Sequence, residues 1–108
     1  MSQKQKEKKE PAVKEEYKIK IIALILALFP KAKIYLFGSR AINTHFHGSD
    51  IDIAVDNGAR IETVDLGEMR DILNATHIPH KIDLVDINFI PAPMKEDILH
   101  KEGILWKK

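Results

Sequence analysis

Apolar residues recur at spacings of three and four through Val13, Tyr17, Ile21, Leu24, Ile25 and Leu28, which predicts a helix with one apolar stripe. Pro11 suits the first turn of that helix and Pro30 ends it, because proline has no N–H to continue the ladder. Ala32 to Phe37 is a short run rich in Ile, Tyr, Leu and Phe that leads straight into Gly38, so it predicts a buried strand and then a turn. From Asp50 to Val55 the period changes to two, with Ile51, Ile53 and Val55 alternating with acidic or small residues. That is a strand with one apolar face.

Ile61, Val64, Leu66, Met69, Ile72 and Leu73 return to a helical period over 61–75, and Pro79 closes the loop after them. His80 to Ile87 predicts a further strand. Pro91 to Glu102 predicts a last helix, opened by the Pro91-Ala92-Pro93 turn and ended by Gly103. The expected order is α-β-β-α-β-α, with room for a helical turn after Gly38. This is an α+β fold, an α/β sandwich in which helices cover a small mixed sheet.

Composition narrows the class without choosing a function. The 108 residues, 44% hydrophobic and 31% charged, suit one folded domain over 11–108 behind a polar tail, Met1 to Glu10. That tail is a frayed end or, on a sharper reading, an arm that touches nucleic acid or an acidic partner. A net charge of +1 selects no partner, and nucleic acid is not required. The chain has no cysteine, so disulfides and thiolate metal sites are excluded and a cytoplasmic setting is the expectation. The apolar run Ile21 to Phe29 is too short to span a bilayer, which needs roughly 20 residues, so no membrane is expected. It is apolar on more than one side of a helix, which leaves part of it for another subunit in a homo- or hetero-oligomer.

Strand alternation turns Asp50 and Asp52 to one face while Ile51, Ile53 and Val55 anchor the other. By the same parity Asp83, between Ile82 and Leu84, turns to the polar face of its own strand. Side by side, carboxylates raise each other's proton affinity unless a hard cation such as Mg²⁺ intervenes. Taken alone, Asp50-Ile51-Asp52 is a polar strand face that meets water; a third carboxylate opens the alternative of a two-metal site. Upstream, Gly38 and Ser39 end a strand in a turn, where glycine allows close backbone approach and serine adds a hydroxyl, the outline of a phosphate cradle. Arg40 adds charge against a triphosphate or is simply a solvated loop side chain.

Read together, Gly38-Ser39, a spacer of about ten residues and Asp50-Ile51-Asp52 resemble the signature of the DNA polymerase β-like nucleotidyltransferases. The likeness covers about Ala32 to Asp86. The wording Gly38-Ser39-Arg40-Ala41 and Ser49-Asp50-Ile51-Asp52-Ile53-Ala54-Val55 is similar to the minimal nucleotidyltransferase branch, whose members are often paired with a HEPN-domain partner. The resemblance implies the polymerase β-like fold, with Asp50, Asp52 and Asp83 as catalytic metal ligands for two Mg²⁺ ions and Gly38, Ser39 and Arg40 against the nucleotide. It implies transfer of AMP from ATP, or NMP from another NTP, to a hydroxyl, with a tyrosine of a HEPN toxin as acceptor and an antitoxin role. Transfer to a small molecule such as an aminoglycoside, and a non-catalytic module that masks a partner, stand as alternatives. Many members carry a glycine a few residues after the serine; Asn43 stands there, and asparagine tolerates left-handed backbone.

His45, His47, His77, His80 and His100 offer no helical pair of zinc ligands over residues 45–47 and no cysteine beside them. Asp56, before Asn57-Gly58, reads as a strand-ending residue, and Asp86 as a cap or a solvated side chain. Trp106 reads as core packing on the sheet or as part of a partner surface.

Overall fold

Two apolar clusters on opposite faces of one sheet organise residues 11–108, the part of the chain that the computed structural model describes; the predicted polar tail, 1–10, lies outside it. The elements are α1 (Glu15–Leu28), β1 (Lys33–Phe37), β2 (Ile51–Asp56), α2 (Thr63–Asn74), β3 (Ile82–Asp86), a single 3₁₀ turn (Ile87–Phe89), α3 (Ala92–His100) and β4 (Ile104–Lys107). The strands lie in the order β3-β2-β1-β4. β1 runs antiparallel to both β2 and β4, and β2 runs parallel to β3. The sheet is therefore mixed, with α2 as the crossover that a parallel pair requires.

Strand parity decides what each face does. Ile34, Leu36, Ile51, Ile53, Val55, Ile82 and Leu84 point to one side, where they pack with Ile21 and Ile25 of α1 and Met69 and Leu73 of α2. On the other side a smaller cluster joins Ala54, Tyr35, Phe37 and Val85 to Ile87, Met94 and Ile98. Thus α1 and α2 cover one face, and α3 covers part of the second. Asp52 and Asp83 share the parity of Ala54 and Val85 and lie beyond the residues of that smaller cluster.

Several expectations change in detail. α1 begins at Glu15 rather than at Pro11, because the Ala12 carbonyl accepts a hydrogen bond from Arg40 Nη1 at 2.6 Å and is held outside the helix. The predicted stripes are narrower than the periodicity implied: Leu28 is 39% exposed and Val64 74% exposed. The fourth strand was not expected at all. Ile104 to Lys107 pairs with β1 through a register shift between Ile34 and Tyr35, and Trp106 packs partly buried against the larger cluster.

Asp86 is a cap, and a buried one. Its Oδ2 accepts from the Ile61 N–H at 2.7 Å and its Oδ1 from the Asn88 N–H at 2.9 Å, which ties the end of β3 to the approach to α2. Asp86→Ala leaves both donors short of an acceptor in a buried setting, so a loss of about 2–3 kcal/mol is expected. Chemical denaturation checks this: an unchanged midpoint would show the tie to be unimportant.

Candidate active site

The site starts where β1 ends. Gly38 has φ 74°, a conformation that L side chains rarely adopt. Its carbonyl accepts from the Ala41 N–H at 3.0 Å, and the Ser39 carbonyl from the Thr44 N–H at 3.0 Å, so the chain winds through consecutive turns after the strand. Asn43 closes them at φ 60°, the left-handed backbone that asparagine was expected to supply. A second turn returns the chain to β2. Here the Ser49 N–H donates to the Phe46 carbonyl at 3.0 Å, and the Ser49 hydroxyl accepts from the Phe46 N–H at 2.8 Å.

Arg40, expected against the nucleotide or in solvent, holds this loop through the loop's own carbonyls. Its side chain is only 5% exposed. Nε and Nη2 donate to the Ser49 carbonyl at 3.2 and 2.9 Å, Nη2 reaches the His47 carbonyl at 3.2 Å, and Nη1 takes the Ala12 carbonyl. A longer contact runs from Nε to the Asp50 carbonyl at 3.3 Å. A planar guanidinium with five donors suits such a cluster of carbonyls. Its neighbours in the chain do not reveal this, since the carbonyls that bury it come from separate segments.

Asp50 is exposed immediately before β2, where the Ile51 N–H donates to the Lys81 carbonyl at 2.9 Å and begins the pairing with β3. One pleat further on, Asp52 lies opposite Asp83 in the parallel register and opposite Phe37 in the antiparallel one. Neighbouring strands are about 4.8 Å apart, so the register places Asp52 and Asp83 side by side, each on the face that parity predicted. The Asp52 carboxyl lies against Gly38: a Cβ built there would stand 3.0 Å from Asp52 Cγ and closer still to Oδ2. Glycine at 38 thus serves both the turn and the carboxylate.

This crowding raises the proton affinity of Asp52, to a pKa of about 6. Burial is the largest cause, followed by the negative charges of Asp83 and Asp50, with Arg40 acting in the opposite sense. Hard oxygen donors with mutual repulsion to relieve fit a divalent cation such as Mg²⁺. Among the described residues no group of three or more His, Cys, Asp or Glu side chains is gathered closely enough to hold a metal ion. The carboxylates form a donor set and not a finished cage. Mg²⁺ sites are commonly completed by water and substrate phosphates around one or two carboxylates.

Two concavities flank these elements. A notch of about 130 Å³ lies beside Gly38, lined by Phe37, Met94, Ile98, Asp97, Glu102 and Gly103. A cleft of about 400 Å³ at the start of α1 is lined by Tyr17, Arg40, His47 and His80 among others, and none of Gly38, Ser39, Asp50, Asp52 or Asp83 contributes to its wall. Size does not pick out a candidate centre here; the pairing of Asp52 with Asp83 does. Asp56 takes no part in it, since its Oδ1 accepts from the Gly58 N–H at 2.9 Å and from Asn88 Nδ2 at 3.0 Å.

A family model described as polymerase beta, nucleotidyltransferase, matches residues 14–108. Among curated proteins, the protein adenylyltransferase MntA of Shewanella oneidensis is 33% identical over 88 residues, which are 81% of this chain and 63% of that protein. The chain therefore spans less than two thirds of that relative. Among solved structures, a chain of a toxin–antitoxin complex with AMP-PNP superposes with a TM-score of 0.73 at 30% identity, covering 82% of this chain and 71% of the other. A chain from the complex of tri-AMPylated Shewanella oneidensis HEPN toxin with MNT antitoxin gives 0.69 at 27% identity, covering 85% and 70%. Among the described residues no helix is long and apolar enough to cross a membrane.

Proposed function

Since this chain belongs to the polymerase β nucleotidyltransferase family, we propose that it transfers AMP from ATP to a hydroxyl group, with a tyrosine of a HEPN-domain toxin as acceptor. The observation that carries this reading is the register of β2 and β3, which sets Asp52 beside Asp83 with Gly38 against the Asp52 carboxyl. The relative's name, adenylyltransferase, and the AMPylated HEPN toxin seen with a structural neighbour support the choice of nucleotide and acceptor. The chain would then act as the antitoxin of its pair.

In the transfer the acceptor oxygen bonds to the α-phosphorus as the bond from that phosphorus to the α–β bridging oxygen breaks. Pyrophosphate leaves, and the hydroxyl proton passes to a carboxylate of the cluster. Mg²⁺ held by Asp50, Asp52 and Asp83, two ions in the two-metal arrangement, would neutralise charge on the attacking and leaving oxygens. The chain's own contribution is placement. The turn at Gly38 and Ser39 offers backbone N–H groups and a hydroxyl to the triphosphate, and the Arg40 clamp keeps Ser49 and Asp50 in fixed positions beside it.

The test is to incubate the full chain with labelled ATP, Mg²⁺ and the HEPN-domain protein encoded next to it, and to follow the mass of that protein. Addition of AMP that disappears with Asp50→Asn is the expected result. No addition by the unaltered protein, together with full neutralisation of the toxin by Asp50→Asn, would leave masking of the partner as the function.

A further inference from the structure

Phe46 is 81% exposed, more than any other large hydrophobic side chain among the described residues, and Ile42 on the same loop is 43% exposed. Both belong to the segment between Ser39 and Asp50, the two ends of the proposed reaction site. An exposed phenylalanine on a mobile loop would mean little, but this loop is pinned. Phe46 sits in a turn closed in both directions by Ser49, and Arg40 holds the His47 and Ser49 carbonyls from within. Ends of such a turn lie within roughly 7 Å, and Asp50 is the next residue, about 3.8 Å on. The ring therefore projects from a fixed point within roughly 11 Å of the backbone of Asp50.

We propose that Phe46, with Ile42 exposed on the same loop, is the anchor by which the acceptor protein docks, inserting into an apolar pocket of that protein so that its hydroxyl is presented to Asp50 and Asp52. The proposal rests on the transfer reading above and adds the surface that selects the acceptor. Shape favours a macromolecule over the nucleotide as the occupant. Small ligands bury most of their surface in concavities, and Phe46 contributes to the wall of neither concavity described above. Phe46 is instead a projection, the form in which aromatic anchors enter a partner. Because the turn joins Phe46 to Ser49, the residue before Asp50, a partner seated on the ring lies beside the carboxylates.

Phe46→Ala and Phe46→Tyr serve as the test, since a side chain this exposed can be cut back without loss of core packing; an unchanged melting temperature confirms the fold. Binding of the HEPN-domain protein is measured calorimetrically, and AMP transfer to it by initial rates, with AMP-PNP and Mg²⁺ titrated separately. Phe46→Ala is expected to weaken binding of the HEPN-domain protein and raise its KM at least tenfold, with kcat within about threefold and AMP-PNP affinity unchanged. Phe46→Tyr, which keeps the ring, should recover most of the binding. Equal binding by wild type and Phe46→Ala overturns the proposal, as does a fall in AMP-PNP affinity, which would make Phe46 a nucleoside contact. Absence of any binding by wild type overturns it too. Binding that depends on Phe46 without any transfer by wild type would instead retain the docking surface and remove the proposed reaction.

Discussion

Asp52→Asn is expected to abolish AMP transfer and at the same time to make the metal-free protein more stable at neutral pH. In the proposed transfer Asp52 would help to hold the cation, and its loss would remove several kcal/mol of charge stabilisation, a rate loss of roughly 10³-fold or more. The stability gain follows from the raised proton affinity. Asp52 titrates near 6 in the folded protein, against 3.8 for an ordinary aspartate. Between those values the folded state binds more protons than the unfolded one, so stability falls as pH rises from about 4 to about 6 and stays at the lower level above. Asparagine does not ionise, so the variant escapes that fall.

The side chain is only part-buried, and solvent screening keeps the expected gain on the order of 1 kcal/mol, a rise of a few degrees in a domain of this size. Thermal melts at pH 3 and pH 8 in EDTA provide the measurement. The two proteins should coincide at pH 3 and separate at pH 8, with Asp52→Asn higher, and Mg²⁺ should close the gap by stabilising wild type alone. A variant that melts lower at pH 8 would show that the carboxylates do not strain one another.

Gly38→Ala is expected to damage both fold and reaction, and Gly58→Ala separates the two causes. Both glycines have positive φ, 74° and 85°. Around Gly58 an added Cβ meets nothing within 4 Å, whereas at Gly38 it meets the carboxyl of Asp52. Gly58→Ala therefore reports the cost of left-handed backbone alone, about 1 kcal/mol once the stiffer unfolded chain is allowed for. Gly38→Ala adds the displacement of Asp52, for a total of roughly 2–3 kcal/mol. A shift of a catalytic group by about 1 Å costs on the order of 10²-fold in rate, so transfer should drop at least that far in Gly38→Ala and remain near wild type in Gly58→Ala. Unfolding midpoints and initial rates on both variants check this. Equal activity losses would mean that backbone conformation, and not the seat of Asp52, is what position 38 supplies.

The helices, the first three strands and the parity of the carboxylates were legible because each depends on residues within one or two periods of itself. Ile51, Ile53 and Val55 oblige Asp52 to face away from them, and Ile82 and Leu84 do the same for Asp83. β4 was missed because Ile104-Leu105-Trp106 is too short to show a period, and it follows a helix whose end at Gly103 looked like the last event in the chain. Its strand character comes from the free edge of β1. The bulge that seats Trp106 is likewise a property of the pair.

Arg40 and Phe46 mark the same limit within the site. Nothing in the local pattern says that the arginine of this loop is buried and its phenylalanine exposed, which is how the structure leaves them. The carbonyls of Ala12, His47 and Ser49 converge on Arg40 only after the loop has closed on the start of α1. Once they fill that interior, Phe46 is left outside. The sequence by itself determined that Asp52 and Asp83 belong to polar strand faces, with Asp50 just ahead of the first of them and Gly38 and Ser39 at a suitable spacing. Only the tertiary structure decided that Asp52 and Asp83 share a register, because strand pairing is settled by packing between distant segments and not by the pattern within either one.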